Sequence, residues 1–356
     1  HLGDDGLQYT FNNSYAQGAR TLTDQSALFI TTRGSTPYAQ PEAAYNVDEF
    51  AFNVPLNEEY SSQLTISNNG EFGSELVYDI SSGPYPVSSD QIDNFGYAWT
   101  DSRQNPEIIN SSWIDIENLD GVTVLEFENN DTATEINLPF NFNFYDQEYN
   151  SCLVNPNGWV GFEDDNNGWN NQAVFSEDSP VSAIFAFWDD LNPAYSGNEL
   201  GSGEIKYHSD DNRAVIWFNN VVHWTDIDRV YNFQLVLHKT GEIDINYQSM
   251  QGETSSATIG VRSPGSGEYG LEVVYNDSFV ENNLGLSFNT SNWLSTEYLS
   301  GNNNQLTSGS SAFYQININT SNLSSGVYYG YVISNTNAVN DFDAIPVILN
   351  TQDAFL

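Results

Sequence analysis

The chain has 356 residues, 14% of them aromatic, with 48 acidic against 8 basic side chains and a formal net charge of −40. That length supplies core for two or three domains, and the aromatic content excludes a disordered chain. The charge repels phosphate backbones and anionic bilayers, which excludes nucleic-acid binding and membrane insertion by attraction, and it suits a salt- or calcium-rich extracellular setting where ions screen the self-repulsion.

Residues 1–45 are polar, carry Pro37 and Pro41, and hold two short runs, LQYTF at 7–11 and SALFITT at 26–32. We read them as a strand-containing arm able to complete the edge of a neighbouring sheet. The start at His1 reads as a processed terminus, so the missing leader carries no information on export. From residue 46 onward two-residue alternation takes over and helical periodicity is nearly absent. QLTI (63–66) and LVYDI (76–80) alternate in a Ser- and Thr-rich segment that closes at SSGPYP. An aromatic-rich block follows over 98–288, with strands expected at VTVLEF (122–127), AVIWF (214–218), YNFQLVL (231–237), IDINY (243–247) and LEVVY (271–275). After Trp293 the Ser- and Thr-rich character of 46–85 returns, with FYQINI (313–318) and VYYGYVI (327–333). These runs are β-branched and aromatic and are separated by Asn, Gly, Ser and Asp, which predicts an all-β chain of antiparallel sandwiches. The return of that character predicts one domain inserted in another: an arm at 1–45, a first half at 46–97, an insert at 98–288 and a second half at 289–356. Asn157-Gly158 predicts a type I′ hairpin turn, in which both central residues take positive φ. Lys239-Thr240-Gly241-Glu242 and Asp210-Asp211-Asn212 predict two further hairpin turns.

Two resemblances are carried by particular stretches. VPLNEEYSSQLTISNNGEFGSELVYDI (54–80), resumed at NWLS (292–295) and ending in AIPVILN (344–350), resembles the ASPM/SPD-2/Hydin-type Ig-like modules of exported bacterial proteins. LPFNFNFYDQEYNSCLVNPNGWVGF (138–162), with AIFAFWDDLNP and YNFQLVLHKTGEIDINYQSM behind it, resembles a nidogen-like extracellular β-sandwich of jelly-roll type. The nesting is similar to that of type IX secretion cargo in marine Gram-negative bacteria, sometimes attached to subtilase domains. The resemblance implies a secreted, cell-surface protein and attaches no hydrolytic role to the Phe-Trp-Asp-Asp segment.

IFAFWDDLNP (184–193) raises the sharpest chemical question, because an apolar run ends in Asp189 and Asp190. Neighbouring strand residues point to opposite faces, so the pair makes a poor general acid and base. A strand covered on both faces that ends in a carboxylate-braced turn is the simpler reading. The surviving alternative is a structural calcium ion held by Asp189 or Asp190 together with Asp164 or Asp165 of the oxygen-rich loop EDDNNG (163–168). That loop departs from a calcium-hand pattern, with Glu163 first and Val174 twelfth. GSGEYG (265–270) matches a phosphate-loop pattern but precedes a strand rather than a helix, so a dinucleotide reading fails and a β-turn or bulge is expected instead. His208, His223 and His238 recur every 15 residues and read as strand-end histidines. Cys152, the single cysteine, reads as a buried inert thiol and rules out an intrachain disulfide. No apolar run approaches 18 residues, so no membrane span is expected. Trp169 and Trp224 lie in polar loop contexts and are the candidate glycan-binding aromatics.

The functional expectation is a non-enzymatic exported adhesion or structural module, self-assembling into a homo-oligomer or filament through sheet edges. The alternative is a glycan- or calcium-binding accessory module of a larger exported enzyme, with a cell-surface glycan or protein as partner.

Overall fold

Period-two alternation in the sequence becomes period-two burial in the structure. Along Thr134–Phe144 the side chains of Ile136, Leu138, Phe140, Phe142 and Phe144 are buried, while Glu135, Asn137, Pro139 and Asn141 are exposed. A pleated strand with one face on a core and the other in water does this. The computed structural model describes residues 39–87, 89–106, 113–163, 168–339 and 342–352. The expected strands LQYTF and SALFITT lie outside the described residues.

In chain order the first strands are β1 (Ala43–Tyr45), β2 (Phe50–Asn53), β3 (Glu59–Asn68) and β4 (Glu75–Gly83). A connector leads from them to β5 (Tyr97–Asp101), β6 (Thr123–Val124), β7 (Thr134–Phe144), β8 (Gln147–Asn155), β9 (Trp159–Gly161), β10 (Ala183–Trp188) and β11 (Leu191–Asn192). Next come β12 (Glu204–Ser209), β13 (Arg213–His223), β14 (Asp226–His238), β15 (Ile243–Gln251), β16 (Thr258–Arg262), β17 (Gly270–Tyr275) and β18 (Leu284–Thr290). The last are β19 (Leu294–Ser300), β20 (Gln305–Thr307), β21 (Ser311–Asn319), β22 (Gly326–Thr336) and β23 (Phe342–Thr351). Among the described residues no helix is long and apolar enough to cross a membrane.

Four sheets result. β1-β3-β21-β19 and β2-β23-β22-β4-β20 share one core, which includes Leu64, Ile66, Tyr314, Ile316, Val332 and Val347; we call this pair the flanking sandwich. β17-β16-β10-β9-β8-β7 and β5-β18-β15-β14-β13-β12-β6, the second with β11 attached to β13, share a larger core around Phe142, Ile184, Phe187, Phe218, Phe233 and Tyr247; this is the central sandwich. The chain is therefore all-β and built of sandwiches. Every pairing among the described strands is antiparallel except that of β2 with β23, which is parallel and departs from the purely antiparallel expectation. β2 reaches β23 after crossing from the other sheet, and a crossing strand has no hairpin to force an antiparallel course.

The continuous apolar runs are explained by cover on both faces. Every residue of β10 is buried. Ile184, Ala186 and Phe187 face the central core, while Ala183, Phe185 and Trp188 join Trp159 and Val174 in a second cluster on the outer face. Residues 168–182 close that outer cluster: the Gly168 carbonyl accepts the indole N–H of Trp188 at 2.6 Å and of Trp159 at 3.3 Å, and Arg262 Nη1 donates to the carbonyls of Ser176 and Ser179, each at 2.7 Å. The opposite sheet is capped likewise by Trp113–Val122, with Trp113 edge-on to Trp217 and Ile114 hydrogen-bonded both ways to Gln234.

Three turns fall where expected, and one has a different shape. The loops at Asp210–Asn212, Lys239–Glu242 and Gly265–Glu268 connect consecutive strands, and β17 follows the last of them. Asn157-Gly158 does turn a hairpin, but only Gly158 has positive φ, at 84°. Asn155 pairs with Trp159 across a three-residue loop, so the turn is not type I′. The two-residue turn with both φ positive is Tyr145-Asp146, at 51° and 58°, between β7 and β8. VTVLEF forms only the two-residue strand β6.

Candidate functional site

The end of β10 gathers four loops. β10 breaks register between Phe185 and Trp188, and the amides of Ala186 and Phe187 both donate to the Gly158 carbonyl, at 3.1 and 2.9 Å. This bulge turns two consecutive residues onto the core and swings the following Asp189 and Asp190 to the sandwich end. Asn157 fixes what comes next. Its carbonyl accepts the Asp189 amide at 3.2 Å and its Oδ1 accepts the Leu191 amide at 2.9 Å, while its Nδ2 donates to the Asn130 carbonyl at 3.0 Å and to Asp131 Oδ1 at 3.3 Å. The loops at 129–131, 155–158 and 189–191 are thereby tied through one buried amide side chain.

Asp189 and Asp190 play different parts. Asp189 is buried, and both its oxygens meet protein groups: Oδ1 accepts the Asp190 amide at 3.0 Å and lies 3.5 Å from His223 Nε2, and Oδ2 accepts the Ser256 hydroxyl at 2.7 Å. It braces the loop. The Asp190 side chain is only partly buried, and its carbonyl accepts the Trp224 amide at 2.8 Å. Burial pushes the Asp190 carboxyl up to about 6; His223 opposes that shift, while Asp131 and Asp189 add to it. Such a group both donates and accepts hydrogen bonds near neutral pH.

Both sequence-selected tryptophans are exposed, Trp169 at 51% and Trp224 at 43%. Both are also anchored to this strand end. Trp169 follows Gly168, whose carbonyl holds the Trp188 indole, and the Trp224 backbone is bonded to Asp190. Both tryptophans are thus tethered to the strand end that carries Asp190, Trp224 by its own amide and Trp169 through the neighbouring Gly168. Asp164 and Asp165 lie outside the described residues. Among the described residues no group of three or more His, Cys, Asp or Glu side chains is placed to hold a metal ion.

The three periodic histidines do not share a site: His223 serves Asp189, while His238 Nε2 lies 2.7 Å from Asp244 Oδ2. Cys152 is buried, and burial drives its thiol far above the usual range. The residues missed by sequence reasoning are Asp131 and Ser256. Neither sits in a motif, and only the pairing of distant loops brings them to Asn157 and Asp189.

Residues 107–295, which include nearly all of the central sandwich and the whole strand end just described, match the family model described as NIDO related. No curated protein matches the chain.

Proposed function

Because the chain belongs to the NIDO-related family, whose domain is an extracellular type of module, we propose that it is a non-enzymatic adhesion module, exported to the cell surface, whose binding face is the β10 end of the central sandwich. The observation that carries this reading is that two exposed indoles, Trp169 and Trp224, are both tethered to the strand end that carries Asp190. Exposed aromatic rings beside a partly buried carboxyl suit a neutral glycan, with rings for the apolar sugar face and Asp190 for a hydroxyl pair. The net charge of −40 disfavours an anionic ligand. The neighbouring Asp189 has both oxygens engaged in bracing, which supports a binding role over a hydrolytic pair. The test is a neutral-glycan array followed by titration calorimetry of any glycan bound. Trp169→Ala and Trp224→Ala should each weaken binding at least tenfold, as loss of a buried aromatic anchor does. Binding that survives the double substitution would place the face elsewhere.

A second reading rests on the flanking sandwich. Among the described residues β19 pairs only with β21, and its other side is the edge opposite β1 in the same sheet. Residues 1–38 precede β1, so a strand from one copy could complete β19 of the next, and head-to-tail addition of this kind builds filaments. Light-scattering mass of the full chain should exceed the monomer and fall to monomer when residues 1–38 are removed. A strictly monomeric full chain refutes self-assembly while leaving the glycan reading intact.

A further inference from the structure

The tip of the β14–β15 hairpin reaches from the central to the flanking sandwich. Lys239 Nζ donates to Ser325 Oγ at 3.2 Å. Gly326 packs so closely on the next residue that a Cβ there would sit 3.1 Å from Thr240 Cγ2. A cleft of about 420 Å³ opens beside this contact, lined by Lys239, Thr240, Asn292, Asn322 and Ser324 among others.

Just behind the turn of the same hairpin lies a cluster of titratable groups drawn from five elements. Glu242 Oε1, in the turn, accepts hydrogen bonds from the Tyr85 hydroxyl and from Ser287 Oγ, each at 3.2 Å, and these two hydroxyls are 2.9 Å apart. Tyr85 is 3% exposed and belongs to the connector between β4 and β5; Ser287 is on β18. His238, the last residue of β14, pairs with Asp244 of β15 at 2.7 Å. Arg213 of β13 also faces His238, but its guanidinium lies 3.6 Å from Asp210. Two carboxylates therefore share one histidine, and that histidine is committed to Asp244. Among the described residues Glu242 accepts from hydroxyls and forms no ion pair. Burial, then the charge of Asp244, pushes its carboxyl up to about 7. Burial opposes the charged form of His238, yet the hydrogen bond and charge of Asp244 outweigh it and hold its pKa above the usual value.

We propose that this seam is a pH-sensitive joint, in which a proton gained or lost by the Glu242, His238 and Asp244 cluster sets how firmly the β14–β15 hairpin holds the flanking sandwich. With Glu242 protonated, the cluster is a neutral acid beside a matched ion pair, and the hairpin stays clamped against Tyr85. Deprotonation puts a second negative charge beside Asp244, where the carboxylate's hydrogen-bond donors are hydroxyls, and widening the seam to water relieves it. Both raised groups act with the same sign. Each favours the closed seam at low pH and gives up that preference as pH rises through its folded value.

The experiment is hydrogen–deuterium exchange on the full chain between pH 5 and 8.5, corrected for the intrinsic pH dependence of exchange. The reporters are the His238 and Gly241 amides, which close the hairpin turn, and the Ser324 amide, which donates to the Tyr328 hydroxyl on the flanking side of the seam, next to the Ser325 that Lys239 meets. The opening equilibrium should rise about tenfold per pH unit up to about 7, the slope of one proton taken up by the closed form and not the open one. In Glu242→Gln the slope below about 6.5, the ordinary histidine value, should vanish, leaving only the His238 share above it. Tyr85→Phe removes a donor to the carboxylate and should move the wild-type midpoint to higher pH, which a merely structural loss would not do. Flat wild-type opening, an unchanged slope in Glu242→Gln, or an unmoved midpoint in Tyr85→Phe would each overturn the proposal. If Glu242→Gln does not fold, the Tyr85→Phe midpoint decides alone.

Discussion

Gly158 and Gly73 share a backbone angle and differ in everything else, which makes them a controlled pair. Both have φ of +84°. Around Gly73 no atom lies within 4 Å of an added Cβ, so Gly73→Ala carries only the left-handed backbone penalty, about 1 kcal/mol. At Gly158 an added Cβ would overlap the carbonyl oxygen of Phe187 and come 3.2 Å from Leu191 Cδ1. That carbonyl belongs to the bulge whose two amides donate to the Gly158 oxygen. The Phe187 peptide cannot move away without stretching both bonds, at about 1 kcal/mol each, and without shifting a fully buried Phe187 ring that packs on Tyr231 and Phe233. Gly158→Ala should therefore cost about 3–5 kcal/mol, several times its counterpart. The two residues lie in different sandwiches, so calorimetry should follow the separate unfolding transitions and convert each midpoint shift to free energy. Equal costs, within about 0.5 kcal/mol, would refute the claim that the bulge depends on the missing Cβ at 158. Gly158→Ala should also weaken glycan binding, because the same bulge aims the Asp190 loop.

Asp190, held at about 6 against about 3.9 in an unfolded chain, favours folding at low pH and loses that contribution as pH rises through 6. Asp190→Asn should flatten the pH dependence of stability between about 4 and 7 and gain about 1–2 kcal/mol at pH 8 after allowance for partial solvent screening, as read by urea unfolding at several pH values. Trp188→Ala empties the outer cluster shared with Trp159 and Phe185 and removes the shorter of the two indole bonds to the Gly168 carbonyl, so it should cost about 3–5 kcal/mol in the same assay. Cys152 should react with a thiol reagent only as fast as the central sandwich unfolds, and labelling in native buffer at the rate of a free thiol would contradict its burial.

Much of the fold could be read from the chain because one physical rule, burial on alternate residues, governs β3, β7 and β21. Where that rule gives way to a continuous apolar run, as in AIFAFW, the sequence still announced cover on two faces. It could not name the covering segments, since residues 168–182 and 113–122 are irregular and carry no period. Turn chemistry was legible only where glycine or a run of Asx residues supplied it. Tyr145-Asp146 adopts two positive φ angles with neither glycine nor asparagine, because Tyr145 is held from outside by its hydroxyl on Asp93 at 2.7 Å and by the rings of Phe95 and Tyr97. The candidate site was half visible. Trp169, Trp224, Asp189 and Asp190 stand out by local context, whereas Asp131, Ser256 and the bridging role of Asn157 depend on loops far apart in the chain. The seam left no local trace at all, for Tyr85, Glu242 and Ser287 meet only once three distant segments have packed.

The parallel pairing of β2 with β23 has a mechanical meaning. Phe50–Asn53 and Val347–Asn350 run side by side in the same direction. Tension applied to the chain before β2 and after β23 drags the two strands past one another, and every hydrogen bond between them bears load at once. The central sandwich enters at Tyr97 and leaves at Thr290, two residues paired directly across β5 and β18. Pulled from those points, that ladder would unzip rung by rung, but the clamp at β2 and β23 keeps it off the line of force. A body tethered through its flanking sandwich can thus keep its central sandwich under drag without stretching it.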